Sequence, residues 1–147
     1  MPEKETIQRA RRDKRQGKSA STQAGEFVRE EMHHIRRGKH GARSTEQAIA
    51  IGLSKARRSG VNLPPPSDGK ASTRESARQA LKRSHSSKKT STKRSRAVRG
   101  ALKHEGRSAA SKPALARHAR VAARSRSAAK RSASARKAAR TRARAHA

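Results

Sequence analysis

Cysteine, tyrosine and tryptophan are missing from this 147-residue chain, Phe27 is its one aromatic residue, and ten carboxylates stand against forty lysines and arginines. Each shortage excludes a class of chemistry. Without cysteine there is no disulfide framework, no thiolate zinc site and no thiol nucleophile. Single-strand and RNA readers stack bases on aromatic rings, so a chain with one ring is suited to phosphates on duplexes rather than to bases. No run approaches the roughly 18 to 20 apolar residues that span a bilayer. The start, Met1-Pro2-Glu3-Lys4-Glu5, is acidic and polar where a secretory signal is basic and then apolar. The protein is therefore expected to stay in the compartment that makes it. Large apolar side chains are scarce as well: after Pro66 they are Leu81, Val98, Leu102, Leu115 and Val121.

What the chain has in excess is positive charge, +30 in total, and it is unevenly placed. Met1 to Leu63 holds fifteen basic and seven acidic residues, net +8, whereas Pro64 to Ala147 holds twenty-five and three, net +22. Low hydrophobicity with high net charge gives too little apolar burial to offset chain entropy. The expected fold is mostly α: a short helical hairpin followed by a long, disordered, basic tail of low complexity.

The front reads as helices. Thr6 to Gln16 is a short basic stretch with Ile7 and Ala10 as its apolar residues, preceded by Glu3 and Glu5 where a helix N-terminus favours negative charge. An exposed helix is expected there. Ser21 or Thr22 can cap a second helix, whose Ala24, Phe27, Val28, Met32 and Ile35 recur every three or four residues as one stripe that stops at Gly38. Ser44-Thr45-Glu46-Gln47 fits a capping box and starts a third helix carrying Ala48, Ile49, Leu53 and Ala56. Gly60 suits its left-handed C-terminal cap, Val61 can fold back on Ala56, and Pro64, Pro65 and Pro66 forbid continuation. These signals divide the chain into a basic helix (1–18), a helical hairpin (19–63), a proline-rich linker (64–70) and the tail (71–147). So small a hairpin buries little surface, which makes a homo-oligomer or a bound partner a natural supplement.

In the tail, Arg107-Ser108-Ala109-Ala110 recurs as Arg126-Ser127-Ala128-Ala129, and Arg131-Ser132-Ala133 echoes it. Alanine and arginine favour helix, yet cations fall on every face, and their repulsion is expected to keep the unbound segment open. Such cation density follows phosphate backbones and releases counterions, giving affinity without sequence selectivity. A tail that merely solvates gains nothing from one-sided charge, and one without Trp or Phe lacks the anchors of an interfacial membrane helix.

The candidate nucleic-acid contacts begin in the link between the second and third helices, at Arg36, Arg37, Lys39 and Arg43, where two glycines and a helix N-terminus favour a phosphate. The bland alternative is a solvated turn. Early in the tail they are Lys82, Arg83, Lys88, Lys89, Lys93, Arg94, Arg96 and Arg99. Further along they are Arg117, Arg120, Arg124, Arg126, Lys130 and Arg131, then Arg136, Lys137, Arg140, Arg142 and Arg144. Glu30-x-x-His33 and Glu31-x-x-His34 have a spacing used in di-iron bundles, but those sites draw matching ligands from further helices. Here a charged helix face is the reading, with no metal, no cofactor and no enzymatic centre.

The stretch from Glu26-Phe27-Val28-Arg29-Glu30-Glu31 through Arg36-Arg37-Gly38-Lys39-His40-Gly41 to Ser59-Gly60 and Val61 to Pro66 resembles a small family of uncharacterised bacterial proteins classed as a domain of unknown function. The resemblance implies a bacterial cytoplasmic protein and carries no activity with it. The tail is similar in composition to the lysine-, alanine- and serine-rich tails of linker histones and bacterial histone-like proteins. The expected function is non-enzymatic, sequence-independent binding of duplex DNA in the nucleoid. The alternatives are a hydrophilic stress-protection protein acting by solvation, and binding of structured or ribosomal RNA.

Overall fold

The computed structural model describes residues 2–86 and 91–145. Seven α-helices occupy them: α1 (Lys4–Arg15), α2 (Ala20–Arg36), α3 (Thr45–Arg58), α4 (Ala71–Lys82), α5 (Thr92–His104), α6 (Lys112–Arg124) and α7 (Ala128–Ala145). The chain divides into two compact units, one ending at Ser111 and one starting at Lys112.

Local chemistry sets the ends of the first three helices. Ser44 caps α3, its hydroxyl accepting from the Gln47 amide at 3.1 Å, while Gln47 Oε1 reaches back to the Arg43 amide at 2.7 Å. The helix stops as its sequence dictates. Gly60 takes φ +91°, Val61 N donates to Ala56 O at 3.1 Å and Gly60 N to Arg57 O at 3.1 Å, so two orphan carbonyls are satisfied by one left-handed residue. Buried Arg57 anchors the chain beyond the helix, donating from Nε to Leu63 O at 3.0 Å and from Nη2 to Pro64 O at 3.2 Å. Desolvation lowers the pKa of that guanidinium. The start of α2 lies earlier than expected. Ser19, not Ser21 or Thr22, is its cap, accepting from the Thr22 amide at 3.3 Å. The earlier start brings Gln23 into the buried face, where its amide donates to Lys18 O at 2.8 Å.

The core joins three helices. Ala10, Ala24, Phe27, Ala56 and Val61 form its buried centre, with Ile7, Ala20, Leu53 and Leu63 packed against it. The expected exposed first helix is thus a packed one, with Thr6, Ala10 and Asp13 buried on α1. The close approach of α2 and α3 is made at Gly52, where a Cβ would stand 2.7 Å from Val28 Cα.

The expected disordered tail is the main correction: four of the seven helices lie beyond residue 70. Two causes operate. Within the first unit, α4 packs on α3 and buries Ala77 and Ala80, alanines serving as core where the sequence pointed to larger side chains. In the second unit, where Ala114 is the one buried side chain among the described residues, helix propensity leads. From Ala114 to Ala147 the chain has neither glycine nor proline and is rich in alanine, arginine and lysine, all strong helix formers. Ser127 Oγ caps α7 by accepting from the Lys130 amide at 3.3 Å. Like-charge pairs such as Arg136 with Arg140 oppose this by only about 0.2 to 0.5 kcal/mol each.

Candidate nucleic-acid interface

The front bundle engages many of its cations internally. Arg9 Nε lies 2.6 Å from Glu26 Oε2, Lys18 Nζ 2.8 Å from Asp13 Oδ1, Lys39 Nζ 2.8 Å from Glu3 Oε1 and Lys55 Nζ 2.5 Å from Glu31 Oε2. Hydrogen bonds from Lys39 and then His34 lower the Glu3 pKa to about 2. These cations have less to offer a phosphate than their number suggests.

The α2–α3 link holds a segment of the same unit. Gly41 N donates to Leu102 O at 2.8 Å and Ala42 N to Gly106 O at 3.0 Å. Thr45 Oγ1 donates to Ala109 O at 2.8 Å and Arg36 Nε to Ala110 O at 2.8 Å. A Cβ at Gly41 would stand 1.9 Å from Glu105 O, so this glycine is what admits the neighbouring backbone. All four link cations singled out from sequence are exposed; Arg36 nonetheless meets a carbonyl and Lys39 a carboxylate. The guanidinium of Arg107 joins them over Gly38, its Nη1 3.2 Å from where a Cβ would begin.

Further along the first unit, Lys82, Arg83, Lys93, Arg94, Arg96 and Arg99 are placed among the described residues, and all six are exposed. Lys88 and Lys89 lie outside the described residues. Burial and then the Arg83 charge lower the Arg58 guanidinium pKa, which places two cations near each other. On α5, Lys93 and Arg96 share a shallow concavity with Thr92 and Ala97.

The second unit has a simpler chemistry. From Lys112 to Ala147 the sequence holds twelve lysines and arginines and no aspartate or glutamate. Arg117, Arg120, Arg124, Arg126, Lys130, Arg131, Arg136, Lys137, Arg140, Arg142 and Arg144 all lie on its surface. Helical spacing sorts some of them into stripes. Arg117, Arg120 and Arg124 share a face of α6, and Arg136, Lys137, Arg140 and Arg144 line one shallow groove of α7 with Ala133 and Thr141.

Two features are not among the sequence-based candidates. Arg107 is one, because its approach to Gly38 spans most of a domain in sequence and leaves no local signal. The other is the interior position of Glu30, Glu31 and His34, expected on a charged face but buried in the structure. The periodicity does carry that signal, since Glu31 and His34 flank Phe27 and Ile35 on the same side of α2.

Among the described residues no helix is long and apolar enough to cross a membrane. Residues 15–67 match a family of unknown function, DUF6496. That span runs from the end of α1 to just past the prolines and includes the whole α2–α3 link. No curated protein and no solved structure matches the chain.

Proposed function

We propose that this is a non-enzymatic, sequence-independent duplex-DNA-binding protein of the nucleoid, acting through phosphate contacts of its cationic helices. The observation that carries the reading is the second unit, where twelve cations are accompanied by no aspartate or glutamate. A surface whose charges have no aspartate or glutamate in their own segment is the one an external polyanion neutralises most favourably. Helix α7 has eighteen residues and seven cations, about one positive charge per 4 Å of a rod about 27 Å long. Duplex DNA offers one negative charge per about 1.7 Å of axis, enough to match every one of them. The scarcity of aromatic side chains leaves phosphate contact as the available mode, and such contacts position a protein without reading bases.

The test is a salt titration of the full chain on two duplexes of unrelated sequence and on a structured RNA. Ten simultaneous phosphate contacts would give a slope of log affinity on log salt near about −9, equal for both duplexes. Affinity that is flat from low to physiological salt would remove the reading in favour of a solvating role. Tighter retention of the RNA at every salt would move the partner from DNA to RNA.

A further inference from the structure

We propose that Glu31, His34 and His40 form a binding site for a divalent transition metal of the zinc class, at the junction of α2 and the α2–α3 link. Their ligand atoms lie within 4.8 Å of one another. Glu31 is fully buried, and its Oε1 is a buried side-chain oxygen that accepts no hydrogen bond among the described residues. Its other oxygen is engaged by Lys55. His40 Nε2 stands 3.2 Å from that orphan Oε1 without hydrogen-bonding to it, close to the roughly 3.3 Å between two ligands of a tetrahedral zinc bonded at 2.0 to 2.1 Å.

The proton positions fit a metal between them. His40 Nδ1 lies 3.0 Å from Gly41 O, and a carbonyl only accepts, so Nδ1 carries the proton. In the neutral ring Nε2 then presents a lone pair to a carboxylate oxygen, an unfavourable pairing that a cation between the two would convert into two bonds. A backbone carbonyl on the distal ring nitrogen is also the usual way a ligating histidine is oriented. His34 shows the carboxylate version of the same device. Its Nε2 is 2.9 Å from Glu3 Oε1 and 3.7 Å from Glu30 Oε1, which leaves Nδ1 unprotonated in the neutral ring. Two imidazoles and one carboxylate make a donor set for zinc, with a fourth position for water. Such an ion would tie α2 to the link that carries Arg37, Lys39 and Arg43.

The experiment uses the full chain stripped with a chelator, titrated with Zn²⁺ by calorimetry and with Co²⁺ by visible absorption. One equivalent should bind, with cobalt ligand-field bands of a four- or five-coordinate site, and His40→Ala should weaken that equivalent by about a hundredfold with unchanged helical circular dichroism. His40→Cys should restore tight binding and add a sulfur-to-cobalt charge-transfer band, a signature that a merely structural residue would not give. Zinc affinity unaltered by His40→Ala, or no sulfur band from a folded His40→Cys, would overturn the site and leave His40 as a packing neighbour of Glu31. Failure of stoichiometric binding by the parent chain would do the same.

Discussion

In the α1–α3 bundle, Arg9, Lys18, Lys39 and Lys55 each rest on a carboxylate, and Asp13, Glu30 and Glu31 are buried. From Lys112 onward twelve cations have no acidic side chain in the segment to rest on, and large apolar groups are few enough that Val121 is 67% exposed. The first region uses charge to assemble a fold. In the second the fold is local, set mainly by backbone propensity, and the charge stays at the surface. Net charge therefore describes neither region well: what matters is whether each cation already has an anion of its own.

The comparison can be broken by perturbing packing. Phe27 is 1% exposed at the centre of the bundle, and Phe27→Ala should cost about 3 to 5 kcal/mol. A urea melt of the α1–α3 signal would read it, and helicity from α6 and α7 should persist after the bundle has melted. Simultaneous loss of all helical signal would show that the two regions are not independent in origin.

A smaller change sharpens the contrast, because one substitution is expected to act with opposite sign at two glycines. At Gly52 a new Cβ meets the Val28 backbone at 2.7 Å, whereas at Gly100, in α5, it meets nothing within 4 Å. Gly52→Ala should destabilise the bundle by about 1 to 3 kcal/mol through overpacking. Gly100→Ala should favour its helix by about 0.5 to 1 kcal/mol, since alanine loses less backbone entropy. Thermal melts and circular dichroism check both. Stabilisation by Gly52→Ala would mean that α2 and α3 do not meet there.

The smallest expected effect concerns the link. Arg37→Ala with Arg43→Ala removes two of the four exposed link cations, and the DNA salt slope should become shallower by at most about 1.8. A larger loss would make the link, rather than the second unit, the principal interface.

Legibility in the sequence follows the range of the interaction. The Ser44 cap and the Gly60 termination depend on residues within five positions, so they can be read directly, as can the Phe27 and Ile35 stripe. The docking of residues 102–110 on the link cannot, because Gly41 to Leu102 and Thr45 to Ala109 are partnerships with distant main-chain carbonyls that favour no residue type beyond the small side chain at Gly41. The repeat misleads in an instructive way. Arg107-Ser108-Ala109-Ala110 forms a 3-10 turn against Thr45, whereas its copy at Arg126 caps and opens α7. Buried Ala77 and Ala80 are invisible to a search for large core residues, although alanine fills that role on α4. The tail helices are hidden when repulsion is weighed above propensity, since its cost per pair is only about 0.2 to 0.5 kcal/mol. For the candidate interface, residue type and density are readable, but the engagement of Arg36 and Lys39 within the fold is not.

The central claim is that placement, not total charge, decides which cations bind DNA, and two variants of equal net charge test it most directly. One replaces Arg9, Lys18 and Lys39 by Gln in the bundle, and the other replaces Arg136, Arg140 and Arg144 by Gln on α7. Salt-dependent duplex binding should lose up to about 2.7 in slope for the α7 variant, with unchanged melting of the bundle. The bundle variant should keep the parent slope and melt at lower temperature or urea. Equal loss of slope in both variants, or loss confined to the bundle variant, would contradict the account.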